Sequence, residues 1–102
     1  MLLIREIMYC KPGKVRPMVK SFLAMSQLME KAGLPPMKVM TDLSAERYWT
    51  IVSEMEVPSL EEYFKMDERM GDMPELAEMM KDYHDLIDWG RREIYTVEEA
   101  KA

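Results

Sequence analysis

The sequence predicts an α+β chain, a ferredoxin-like sandwich in the order βαββαβ with its second helical segment broken in two. Three observations predict it. Hydrophobic spacing switches between alternation and helical periodicity in the split-βαβ order. Turn and capping residues stand at the switches. Both alternating sets of the first strand are apolar, so each face of the sheet needs cover.

Leu2–Cys10 alternates as a strand and ends at Lys11-Pro12-Gly13-Lys14, a tight strand-to-helix turn in which Pro presets φ and Gly tolerates unusual dihedrals. Val15–Ala32 then places Val15, Met18, Val19, Phe22, Met25 and Met29 on one stripe. Pro17 is tolerated because it falls near the first turn. Ser26 interrupts the stripe and is expected to bond back to a carbonyl one turn earlier. Gly33 ends the helix, and Leu34-Pro35-Pro36 enforces an extended approach to a second strand, Met37–Leu43. Asp42–Glu46 reads as a hairpin loop before a third strand, Tyr48–Val57.

Ser59 and Glu62 have capping-box spacing at the head of a helical region over Ser59–Asp88. Leu60, Tyr63, Phe64 and Met70 form its first stripe. Gly71 breaks it, Asp72 and Glu75 repeat the capping spacing, and Leu76, Met79, Met80, Tyr83 and Ile87 form another stripe. Trp89–Val97 is the last strand. The antiparallel sheet order expected for this sequence of elements is 4-1-3-2.

A length of 102 residues suits one domain over 1–102, and 48% apolar with 32% charged residues describes a globular rather than a disordered chain. A net charge of −5 disfavours nucleic acid, which rewards a basic surface. Residues 5–38 carry seven Lys/Arg and two Glu, whereas residues 54–88 carry twelve Asp/Glu and three Lys/Arg. Neighbouring helical segments of complementary charge account for that split. No apolar run is long enough to span a bilayer, and Arg5 and Glu6 interrupt the start, so neither a membrane span nor a signal peptide is expected and the default location is cytoplasmic. The single cysteine, Cys10, excludes an internal disulfide. It reads as a small apolar strand residue, with a thiol activated by Lys11 and Lys14 as the alternative.

Leu3, Ile7 and Tyr9 alternate with Leu2, Ile4, Met8 and Cys10, so the helices cannot cover all the apolar surface of the first strand. A second copy of the chain, packed on the open sheet face, is the expected cover. The strand charges Arg5, Glu6, Glu54, Arg91, Arg92 and Glu93 are expected to pair across that homodimer interface or to line a wet cavity.

Several short stretches carry a family resemblance: Arg5-Glu6-Ile7 leading to Lys11-Pro12-Gly13-Lys14, then Gly33-Leu34-Pro35-Pro36, Tyr48-Trp49, and Val57-Pro58-Ser59-Leu60-Glu61-Glu62-Tyr63. Through them the chain resembles the dimeric α/β barrel superfamily, and among its members the NIPSNAP-like small bacterial proteins. The resemblance implies a dimer with a ligand cavity between helices and sheet in each protomer. It implies no single activity, since the superfamily holds cofactor-free and haem-degrading oxygenases, isomerases and proteins of unknown role. The oxygenases typically use asparagine with histidine and tryptophan, and this chain has no asparagine. The full trio therefore cannot be carried over.

His84 is the only histidine and the natural candidate for proton transfer near neutral pH. It lies about 80° from the centre of the Leu76–Tyr83–Ile87 stripe at about 100° per residue. On a continuous helix Asp88, four residues on, would orient it. The plainer alternative is a half-exposed histidine near a helix end. Asp67 falls inside the Leu60–Met70 stripe and is a second candidate base, or a solvated residue where the helix frays. Trp49, Tyr63 and Tyr83 are candidates to hold a flat apolar ligand, or core aromatics. Met66, Met70, Met73, Met79 and Met80 read as gap-filling core rather than a copper site. No zinc spacing, phosphate-binding loop or Ser–His–acid signature occurs, so no metal or cofactor is expected. Two functions fit: a homodimer binding an apolar small molecule, or a cofactor-independent isomerase or oxygenase with His84 as proton acceptor and Asp67 or Asp88 assisting.

Overall fold

Alternation in the first strand decides which residues meet the helices. The computed structural model describes residues 1–98, so residues 99–102 of the expected domain lie outside the described residues. Along the chain run β1 (Leu2–Cys10), α1 (Val15–Lys31), β2 (Lys38–Thr41), β3 (Thr50–Val57), α2 (Leu60–Gly71), α3 (Pro74–Met79), α4 (Tyr83–Leu86) and β4 (Ile87–Thr96). The strands form one antiparallel sheet in the order β2-β3-β1-β4, the expected order read from the other edge.

Ile4, Met8 and Cys10 of β1 and Ile51 and Val57 of β3 join Met18, Phe22, Met25 and Met29 of α1 and Tyr63 and Met66 of α2 in one core. The five buried positions of α1 all belong to its expected stripe, and Val19 of that stripe is half-buried. Met18 and Ile51 are 0% exposed, and each contributes about 2 kcal/mol through the apolar surface it removes from water.

The end of α1 shows how local chemistry sets an element's length. Gly33 takes φ +75°, its N–H donates to the Glu30 carbonyl at 3.0 Å, and the Leu34 N–H donates to the Met29 carbonyl at 2.9 Å. This is a Schellman closure, which needs the left-handed conformation that glycine adopts without strain. Nothing lies within 4 Å of a Cβ placed there, so Gly33→Ala meets only the backbone penalty. It is expected to cost about 1 kcal/mol, read as a lower urea midpoint with an unchanged slope.

Several elements differ from expectation, each for a physical reason. The Ser26 hydroxyl donates to the Met37 carbonyl at 3.1 Å, not to a carbonyl of its own helix, and so ties α1 to the lead into β2. Asp72 does not cap α3. It closes α2, its N–H donating to the Arg69 carbonyl at 3.2 Å and the following Met73 N–H to the Met70 carbonyl at 3.1 Å, and the N-cap of α3 is Met73 with no side-chain bond. The Ser59 cap is present, its Oγ accepting from the Glu62 N–H at 3.2 Å. β2 and β3 are shorter than their alternation suggests because Asp42 clamps the hairpin: its carboxylate accepts from the Thr50 N–H at 2.9 Å, and its own N–H donates to the Thr50 carbonyl at 3.2 Å. Trp49 takes φ +62°, which no strand accommodates, so Tyr48 and Trp49 belong to the loop.

The helical region also breaks a second time. After Met79 the bonds tighten to i→i+3 spacing, with the Tyr83 N–H on the Met80 carbonyl, and α4 is a single turn. Its Leu86 carbonyl accepts from the Lys11 N–H at 2.9 Å, and β4 starts at Ile87, opposite Cys10, rather than at Trp89.

Candidate functional site

Between the sheet and the helices lies a cavity of about 210 Å3. Eight methionines line it: Met8, Met25, Met29, Met37, Met55, Met66, Met70 and Met80. The unbranched thioether fills irregular space and re-packs at little cost, so such a wall is polarizable and adaptable. Phe22, Tyr63 and Tyr83 complete the apolar surface, with Phe22 and Tyr83 edge-to-face at 6.5 Å between ring centroids.

Charge enters the cavity through three residues. Glu6 and Arg92 stand opposite one another in the β1–β4 register, on the helix-covered side of the sheet. The Arg92 Nε donates to the Glu6 carboxylate, and its guanidinium lies 5.5 Å from the centre of the Tyr63 ring. Asp67 of α2 is the third, exposed to solvent yet part of the cavity wall. Burial pushes the Tyr63 phenol up, Arg92 pulls it down, and Glu6 and Asp67 push it up again. Burial also pushes Tyr83 up, with Glu6 adding to it. Both phenols are therefore protonated donors at neutral pH.

Of the residues singled out from sequence, Asp67, Tyr63 and Tyr83 meet on this cavity. The other three do not. His84 is exposed on α4, its ring edge-on to Tyr83 at 5.4 Å, and it is not part of the cavity wall. Asp88 is not its neighbour on a helix, because α4 ends at Leu86 and Asp88 lies on β4, where it faces Arg47 at 3.9 Å. Trp49 sits in the β2–β3 loop and lines a separate cleft with Tyr48 and Arg16. Cys10 is buried, and burial first, then Asp42, pushes its thiol up, against an activated nucleophile. Among the described residues no group of three or more His, Cys, Asp or Glu side chains is placed to hold a metal ion.

Glu6 and Arg92 were among the strand charges expected at an interface or a wet cavity, but not as partners of one another. Glu6 carried one signal, as a carboxylate at the same parity as Ile4 and Met8. Its partner is 86 positions away and emerges only with the β1–β4 register. Of the methionines read as gap-filling core, Met66 is buried and Met70 and Met80 are half-buried on the cavity wall.

The strand charges on the open face form pairs within the chain. On the open face Arg5 Nε donates to Glu54 at 2.8 Å and lies 3.7 Å from Glu93, Arg91 Nε donates to Glu93 at 3.2 Å, and Arg91 also donates to the Tyr9 hydroxyl. Arg47 lies over Tyr9 at 4.6 Å, which helps bury that ring. Around this network a shallow groove of about 410 Å3 runs past Ile7, Met40, Leu43 and Val52.

In sequence, no family model and no curated protein matches the chain. In structure, it is similar to an uncharacterized NIPSNAP domain protein from Burkholderia xenovorans, with a TM-score of 0.83 and 13% identity over 100% of this chain and 99% of that one. It is likewise similar to protein Atu4242 from Agrobacterium tumefaciens, with a TM-score of 0.81 and 16% identity over 94% and 92% of the two chains. An antibiotic biosynthesis monooxygenase superposes with a TM-score of 0.72 and 10% identity over 95% of this chain and 98% of that one. At such identities the likeness speaks for the fold, and that fold is the α/β sandwich of NIPSNAP domain proteins, which the chain's own short motifs resemble.

Proposed function

We propose that the protein is a cytoplasmic homodimer, paired through the open sheet face, that binds an apolar small molecule in the cavity between helices and sheet. The observation that carries this reading is the cavity itself, with eight methionines and three aromatic rings around about 210 Å3 and a charged group at its edge. An apolar cavity of about 150 Å3 suffices for benzene, so this one suits a single ring with a short substituent. The exposed Trp89 and Tyr95, the half-buried Leu3 and Val52 and the groove beside them support pairing on the open face.

An enzyme of the isomerase or oxygenase type, with His84 as proton acceptor, finds less support, because His84 is not on the cavity wall. One experiment tests the cavity that both readings need. Met80→Trp, at a half-buried wall position, is expected to fill the cavity and weaken uptake of a one-ring probe such as ethylbenzene at least about tenfold, at a stability cost of about 1–2 kcal/mol. His84→Gln is expected to leave uptake unchanged. Saturation of ethylbenzene signals in NMR titrations reads both. Equal binding by wild type and Met80→Trp would remove the cavity from consideration.

A further inference from the structure

The charges on the cavity are unequal, and this bears on what it takes. Glu6, Asp67 and Arg92 are the charged residues of its wall, two carboxylates against one guanidinium. The guanidinium donates through Nε to Glu6 and lies over the Tyr63 ring. Asp67 forms no ion pair or hydrogen bond of its own among the described residues. An added anion would thus meet an excess of negative charge, and the one guanidinium beside it already shares the field of Glu6 and Asp67. An added cation would meet a carboxylate in reach of water, so it need not lose its whole hydration shell. On the cavity's own phenols, after burial, Glu6 pushes Tyr83 up, while at Tyr63 the pull of Arg92 comes ahead of the push from Glu6 and Asp67.

We infer that the ligand is a small apolar amine, its hydrocarbon body among the methionines and its ammonium group at Asp67. This rests on the reading that the cavity binds a ligand at all. It goes further by giving that ligand a charge and a contact.

The test uses the full chain and three probes sharing one body: ethylbenzene, phenethylamine and phenylacetate, titrated by NMR into wild type and Asp67→Asn at low ionic strength. Asp67 is exposed on α2, so the variant is expected to fold as the wild type does. Phenethylamine is expected to bind about tenfold tighter than phenylacetate to the wild type, a ratio fitting one attraction gained and one repulsion avoided at a partly solvated site. In Asp67→Asn that ratio is expected to fall to about twofold or less while ethylbenzene binding stays the same. Should phenylacetate bind as well as phenethylamine while ethylbenzene also binds, the amine is wrong and the cavity reading stands. An amine preference that survives Asp67→Asn overturns the contact assigned to Asp67. If none of the probes binds, the cavity reading falls and the inference with it.

Discussion

Ile51→Ala is expected to destabilise the protein by about 3 kcal/mol, the scale for losing a fully buried branched side chain together with the space it leaves. Ile51 is 0% exposed, pairs across the sheet with Met8 of β1 and Thr41 of β2, and belongs to the core under α1. Its side chain shares that core with Met8, Met18 and Phe22. For a domain of this size the loss corresponds to a fall of about 15 °C in Tm. Leu23→Ala, at a position on α1 that is 49% exposed, is expected to shift stability by less than about 1 kcal/mol. Urea unfolding of both variants checks the contrast, and comparable losses would refute the assigned core.

The second large effect concerns pairing. Val52→Lys is expected to turn the proposed dimer into a monomer without loss of secondary structure. Val52 is half-buried on the open face, opposite Ile7 and Met40 and beside the groove. Two-fold symmetry presents every substitution twice, so two ammonium groups would enter the interface with the local carboxylates already committed. The dimer constant is expected to weaken at least about a hundredfold. Sedimentation velocity on wild type and variant decides it. A wild type that sediments as a monomer at the highest concentration reached would end the pairing proposal. A dimer unaffected by Val52→Lys would move the interface elsewhere.

Much of the fold was legible because its signals are local. Alternation in β1 depends on residues two apart, and the α1 stripe on residues three and four apart. Gly33 and Ser59 stop and start helices through bonds spanning a few residues. Where a reading failed, the deciding contact lay further off. Ser26 exchanged a local carbonyl for that of Met37. Asp42 trimmed β2 and β3 by reaching Thr50 across the hairpin. The His84–Asp88 pairing assumed a helix that the return of the chain into β4 cuts short at Leu86.

The candidate site divides in the same way. Tyr63, Tyr83 and Asp67 were identifiable from their stripes, because a helix face that meets the sheet also faces any space left between them. Glu6 and Arg92 were not identifiable as a pair, and neither was the cavity, since both require the register of two strands at opposite ends of the chain. The sequence by itself determined the element order, the sheet order and the apolar faces, all of which follow from short-range periodicity and turn chemistry. Only the tertiary structure decided that the strand charges pair within the chain, that His84 stands off the cavity, and that the methionine core leaves a space with a carboxylate at its edge. Packing and strand register are collective properties, settled when every element docks at once.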